Sequence, residues 1–195
     1  MTNRMTEKRG KLVVISGPSG AGKTSVCRVL KTDPDVEFSV SATTRPMREG
    51  EQDGIDYHFL TREAFEQRVA EDQFLEYAEY NGNLYGTPRW PMDAALERGK
   101  TFLVEIEVDG TRQLRRRGVR GLYVFIEPPS IAELRSRLLR RGTNGAEEID
   151  QRVRIAEDEI RAAREQVDGA PLYDRFVENS DLEATIGHVK ELLGS

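Results

Sequence analysis

The sequence predicts an α/β protein: a three-layer core of parallel strands between helices, interrupted by a small mixed-β lobe and by a helical excursion. Three observations carry that expectation. Near the N-terminal end an apolar run, a glycine-rich turn and a helical pattern follow one another, which is the opening of a βαβ unit. Strand-like and helix-like segments alternate again from residue 88 onward. Between them, residues 36–87 change texture to short β-like pieces around one helix.

In chain order, "KLVVIS" at 11–16 is a continuous apolar run, the pattern of a strand buried on both faces. "KTSVCRVLKT" is a helix running to about Lys31, closed by "DPD". "EFSVSA", "YHFL" and "FLEYAEY" are short strands, with a helix near 62–71. "WPMDAALERG" is a helix with Gly99 as its C′ glycine. "TFLVEIE" is a strand, "DGTRQLRRRG" a short helix and "GLYVFIEPP" a strand. The stretch 131–166 is helical and arginine-rich, broken by "RGTNGA". "DRFVENS" then gives a last strand before the helix "DLEATIGHVKELLG". With no repeats or linkers, the expectation is one domain over 1–195. Its core spans about 10–38, 88–130 and 167–195, with the inserted lobe at about 39–87 and the helical excursion at about 131–166.

A chain of 195 residues with 37% hydrophobic and 32% charged residues suits a folded globular protein. Apolar runs such as "LVVI" and "FLV" fall far short of the ~20 residues of a membrane span, so no membrane association is expected. "MTNRMTEKRGK" has no apolar segment behind it, so no secretory signal is expected either. A single cysteine, Cys27, excludes an internal disulfide and suits a reducing cytoplasm. The net charge of −5 argues against non-specific nucleic-acid binding, despite the basic "RRR" at 115–117. The composition sets no oligomeric state. Lysine occurs only at 8, 11, 23, 31, 100 and 190, which singles out Lys23.

"GPSGAGKT" comprises Gly17, Pro18, Ser19, Gly20, Ala21, Gly22, Lys23 and Thr24. It matches G-x-x-x-x-G-K-[ST] in full, between a strand and a helix. Glycines let successive N–H groups curl around phosphate oxygens, and the helix N-terminus adds partial positive charge. Lys23 reaches the β/γ oxygens, and the Thr24 hydroxyl is a Mg²⁺ ligand. The expected ligand is a nucleoside triphosphate. No N/T-K-x-D base reader of a GTPase is present, and motor ATPases are generally longer. A small-molecule kinase remains, and if its acceptor is a nucleotide it needs a second anion site.

"SATTRPMREGEQDGIDYHF", Ser41 to Phe59, offers one. Arg45 and Arg48 lie in a polar, punctuated segment followed by Tyr57. Alone, "RPMR" is more often a solvated turn. Yet a nucleoside monophosphate carries about two charges at pH 7, and planar guanidinium forks bind it bidentately where a lysine cannot.

This segment, with "FLEYAEYNGNLYGT" at 74–87, "PPSIAELRSRLLRRGT" at 128–143 and the phosphate loop, resembles the guanylate kinase family in register from about residue 12 to 182. The resemblance implies a P-loop fold in which the inserted lobe binds the nucleoside monophosphate and the helical excursion is a lid. It implies transfer of the γ-phosphoryl of ATP to GMP, giving ADP and GDP. Arg45, Arg48, Tyr57 and Tyr85 match the grip on the GMP phosphate, and Ser41, Glu76 and Thr87 the guanine readers. A carboxylate at 76 accepts from guanine N1 and N2 together, whereas adenine presents an acceptor at N1. Arg137, Arg141 and Arg152 match lid arginines, which stabilise charge on the transferred group. Arg137 and Arg141 are four apart, on one helix face beside the apolar stripe Ile131, Leu134 and Leu138. Asn179 matches a position near adenine.

The sequence departs from the family at Glu105 and Glu107, where Asp is usual. That touches the base contact of Glu105 and the Mg²⁺-water contact of Glu107. Leu84 replaces a common aromatic. His58 and His188 have no partner pattern and are structural. Two other readings stay open: a catalytically silent scaffold domain holding phosphopeptides at the monophosphate lobe, and a kinase for another phosphorylated acceptor such as a sugar phosphate.

Overall fold

A computed structural model of the protein describes residues 10–140 and 145–194. The described residues divide into two compact units, one formed by residues 10–12 with Pro34–Val104, the other by Val13–Asp33 with residues 105–140 and 145–194. Residues 34–38 and 88–104 therefore cluster with the inserted segment, where sequence alone placed them with the core.

In the first unit, β2 (Val36–Phe38) runs parallel to β7 (Thr101–Glu105), with Val36 opposite Thr101 and Phe38 opposite Leu103. Beyond it lies a separate mixed sheet of β3 (Ala42–Thr43), β4 (His58–Phe59), β5 (Phe74–Tyr80) and β6 (Asn83–Pro88), in the order β4-β3-β6-β5. Strand β6 is central to this sheet and was not anticipated. Its signal was the Asn-Gly pair: Asn81 and Gly82 both have positive φ, 47° and 74°, and form the two-residue turn that matches strand twist. That turn fixes the β5–β6 register and sets Glu76 opposite Thr87.

Helix α2 (Arg62–Ala70) starts at Thr61, whose hydroxyl accepts the Ala64 N–H at 3.2 Å. It buries Phe65, stacked on Phe74 with centroids 4.2 Å apart, and Ala42 and Leu84 complete the cluster. Such a ring pair adds about 0.5–1.5 kcal/mol beyond its area burial. Helix α3 (Trp90–Glu97) ends as expected at Gly99, with φ +73°.

In the second unit, β1 (Lys11–Ser16), β8 (Leu122–Glu127) and β11 (Arg175–Glu178) are parallel in the order β11-β8-β1. Val13, Val14, Ile15 and the run Tyr123 to Ile126 are all fully buried, which is why these strands are continuously apolar. Helices α1 (Lys23–Leu30), α4 (Val108–Arg116), α5 (Ile131–Arg140), α6 (Ala146–Ala162) and α7 (Leu182–Gly194) belong to this unit. Leu134 and Leu138 of α5 bury against Ile149, Val153 and Ala156 of α6, as the apolar stripe requires. Each such aliphatic side chain contributes about 1.5–3 kcal/mol.

Three boundaries differ from the sequence expectation. "TFLVEIE" leaves the strand at Glu105, and Glu107 caps α4 instead, its carbonyl accepting the Thr111 N–H at 3.0 Å. "EFSVSA" splits into β2 and β3. The helical stretch stops at Ala162 and is followed by a small hairpin, β9 (Gln166–Val167) and β10 (Ala170–Pro171), turned by Asp168 and Gly169 at φ +51° and +80°.

Candidate active site

The phosphate loop runs from Ser16, the last residue of β1, into α1. Its glycines are steric requirements. A Cβ on Gly17 (φ +153°) would lie 2.2 Å from the Ile126 carbonyl oxygen, and one on Gly22 (φ +93°) 2.2 Å from Asn179 Nδ2. The Lys23 ammonium donates to the Gly17 carbonyl at 2.8 Å, so the lysine folds across its own loop. The Thr24 hydroxyl donates to Glu105 Oε1 at 2.9 Å. Glu105 therefore stands beside the hydroxyl that the motif assigns to Mg²⁺. Burial, then the charge of Glu105 and a hydrogen bond to it, push the Cys27 thiol up, so it stays protonated.

Asn179 is buried, and its amide donates to the Ala21 carbonyl at 2.7 Å while its oxygen accepts the Thr185 hydroxyl at 3.1 Å. It thus buttresses the loop. A cleft of about 350 Å³ is lined by Gly20, Gly22, Ser25, Arg137, Arg140 and Asn179. Arg137 donates to the Asn179 carbonyl at 2.8 Å and to Glu133 at 3.0 Å. Arg152 Nη2 donates to the Ser19 hydroxyl at 2.6 Å. Arg141 lies outside the described residues, while Arg140, one position earlier, faces the cleft and was not anticipated.

Glu159 on α6 was also missed. One of its oxygens, Oε2, is buried, and its carboxyl is pushed above the ordinary range, first by burial and then by the charge of Glu107. Nothing in the sequence marks it, because acidic residues crowd this helix.

In the other unit, the Arg45 guanidinium is held bidentately by Glu51, at 2.8 and 3.1 Å, and donates to the Pro46 carbonyl at 2.7 Å. It lies 5.5 Å from the Tyr57 ring centre and 5.7 Å from that of Phe59. Tyr57 and Tyr85 meet edge to face at 6.1 Å. Hydrogen bonding to Glu51, and less strongly to Tyr85, raises the Arg45 pKa. Glu51 also accepts the Arg48 backbone N–H at 2.8 Å, and the hydrogen bond from Arg45 is the main reason its carboxyl lies below the usual range. So Arg45, Tyr57 and Tyr85 converge, whereas the Arg48 side chain is exposed. Glu51, unremarked in the sequence, organises the arginines; its signal was a carboxylate three residues after Arg48 in a turn.

Across the small sheet, Thr87 is buried and its hydroxyl donates to Glu76 Oε1 at 2.5 Å. Ser41 is half-buried, its carbonyl accepting the His58 N–H at 2.8 Å. His58 rests against the Trp90 ring at 5.8 Å, in keeping with a structural role.

A family model described as guanylate kinase matches residues 9–195. The chain belongs to the guanylate kinase family. It is 42% identical over 190 residues to a guanylate kinase of Halalkalibacterium halodurans, covering 97% of this chain and 90% of that one. It is 43% identical over 186 residues to a guanylate kinase of Carboxydothermus hydrogenoformans, covering 95% and 88%. The crystal structure of guanylate kinase from Anaplasma phagocytophilum is similar with a TM-score of 0.67 at 29% identity, covering 96% of this chain and 86% of that one. Guanylate kinases are ATP:GMP phosphotransferases, so this is a nucleotide-binding kinase with small-molecule substrates.

Proposed function

We propose that this chain transfers the γ-phosphoryl group of ATP to GMP, giving ADP and GDP in the cytoplasm, and recycles GMP in purine nucleotide metabolism. The observation that carries the choice of acceptor is the Glu76–Thr87 pair, a carboxylate oriented by a buried hydroxyl on β6, the strand that also carries Tyr85 of the Arg45, Tyr57 and Tyr85 cluster. Guanine offers two adjacent donors to such a carboxylate, while adenine faces it with an acceptor. Arg45, Arg48, Tyr57 and Tyr85 bind the GMP phosphate, with Ser41 completing the base contacts.

On the donor side, the loop N–H groups from Gly17 to Thr24 and the Lys23 ammonium hold the triphosphate. Arg137, Arg141 and Arg152 place positive charge where it develops on the transferred group. Asn179 keeps the loop in shape at the edge of the nucleotide cleft. Thr24 Oγ1 and Glu105 Oε1, 2.9 Å apart, are hard oxygen donors that fit Mg²⁺, which takes few protein ligands alongside phosphates and waters. When bound there, the ion neutralises phosphate charge. No nucleic-acid or membrane partner enters this reading, and among the described residues no helix is long and apolar enough to cross a membrane.

The test is a coupled ADP-release assay with GMP, dGMP, AMP, UMP and ribose phosphates, with and without Mg²⁺. Release with GMP well above AMP and UMP, abolished by chelation, is the expected result. Preference for a sugar phosphate would reassign the acceptor. GMP binding without ADP release would mark a non-catalytic binding module.

A further inference from the structure

Helix α5 opens on "SIAE", the Ser-x-x-Glu pattern of a capping box, and the first half of the box forms. The Ser130 hydroxyl accepts the Glu133 N–H at 3.1 Å, and the Ser130 carbonyl accepts the Leu134 N–H at 3.0 Å. In the complete box the glutamate reaches back to the N–H of the capping residue. Glu133 turns the other way. Its Oε1 accepts from Arg137 Nε and from Arg140 Nη2, each at 3.0 Å, four and seven residues further along the same face.

Both arginines line the cleft beside the phosphate loop, together with Gly20, Gly22, Ser25 and Asn179. Each has a second anchor. Arg137 Nη2 donates to the Asn179 carbonyl at 2.8 Å, and Arg140 Nη1 donates to the Ser136 hydroxyl at 3.0 Å. Hydrogen bonds from Arg137, then from Arg140, hold the Glu133 carboxyl below the usual carboxylate range, so it is ionised at neutral pH. A negative charge beside a cleft that takes a polyanion repels the ligand. What it supplies in return is geometry: two long side chains already ordered spare the ligand that entropic loss on binding.

We propose that Glu133 is a positioning residue of the donor site: through one oxygen it holds Arg137 and Arg140 along one wall of the cleft, preset for the phosphates of the donor nucleotide. Arg140 thereby becomes a donor-binding residue, one that no motif in the sequence marks. The inference rests on the ATP-binding side of the proposed function and extends it to two residues outside the loop motif. Its effect falls on the donor side, because the cleft that the two arginines line is walled by the phosphate loop and Asn179.

A surface charge and a positioning group predict opposite signs. If Glu133 were only a charge on the helix, removing it would leave the affinity for a triphosphate unchanged or tighten it. If it sets the arginines, removing it weakens binding. Glu133→Ala and Glu133→Gln are compared with the parent chain by calorimetry with the imido analogue of ATP and Mg²⁺, and by the KM values of ATP and GMP. Alanine is the best helix former, and thermal melting checks that each variant is folded. Glu133→Ala is expected to weaken analogue binding and raise the ATP KM roughly five- to tenfold, near the lower end of what a hydrogen bond to a charged group supplies. Glu133→Gln should fall between Glu133→Ala and the parent, because hydrogen bonds to its neutral oxygen are roughly half as strong. The GMP KM should stay within about twofold, since Arg45, Tyr57, Tyr85 and Glu76 belong to the other compact unit. Analogue affinity equal to or tighter than the parent's in either folded variant, or equal shifts in both KM values, overturns the proposal. A parent chain that binds the analogue yet does not phosphorylate GMP would sink the activity, while calorimetry still decides the role of Glu133.

Discussion

The phosphate loop and the Arg45–Tyr57 segment both handle phosphate, yet they are built by different physics. Around the loop, backbone meets closely packed backbone and a buried side-chain amide. Gly17 abuts the Ile126 carbonyl, Gly22 abuts the Asn179 amide, and Asn179 is itself buried and bonded. In the clamp, residues 46–50 are exposed, and the geometry depends on one carboxylate, Glu51, and the faces of Tyr57 and Phe59. A site held by close packing tolerates almost no substitution. A site held by a half-buried ion pair of two side chains can be retuned without unfolding, because no close backbone packing depends on it.

Lys23→Ala should show the largest effect. Turnover should fall by roughly 10²–10³-fold or more, the scale of removing one preorganised electrostatic contact, with melting temperature almost unchanged. The lysine makes one bond to its own loop and carries no packing role. Near-normal turnover in a folded variant would remove the loop from the chemistry.

Glu76→Gln comes next and probes the other unit. It keeps an acceptor for the Thr87 hydroxyl but turns an NH₂ donor towards guanine, and kcat/KM for GMP should drop by roughly 2–4 kcal/mol. Activity towards AMP should fall much less, so the GMP:AMP ratio shrinks. An unchanged ratio would shift base reading to Ser41, Thr87 or backbone groups.

Gly22→Ala tests the steric half of the comparison. With φ at +93° and the new Cβ 2.2 Å from Asn179 Nδ2, it should lower stability by about 2–3 kcal/mol, read as a denaturation midpoint. A variant as stable as the parent would mean that the loop is not packed as described. The mildest change is Glu51→Ala, expected to raise the KM for GMP by roughly five- to twentyfold, as Arg45 loses its bidentate partner, with the variant still folded by thermal melting. Equal losses for ATP and GMP would blur the distinction between the two regions.

Legibility followed the same divide. Where a residue type is dictated locally, the sequence by itself determined the outcome: the glycines and Lys23 of the loop, the buried strands around β1 and β8, the α5 stripe of Leu134 and Leu138, the Gly99 helix end. Local sterics and hydrophobic period decide such features, and both are written in neighbouring residues. The family likeness added Arg45, Tyr57, Tyr85, Glu76 and Thr87 as expected site residues. Tertiary structure alone decided the partners of the other carboxylates. Glu51 and Glu159 look like any other acids on a turn and a charged helix. Glu107 leaves its strand to cap α4, and Glu105 turns to Thr24 from 81 residues away in the chain. Charge interactions depend on distance and burial, which no local pattern encodes, so the partners of a carboxylate emerge only once the chain is folded.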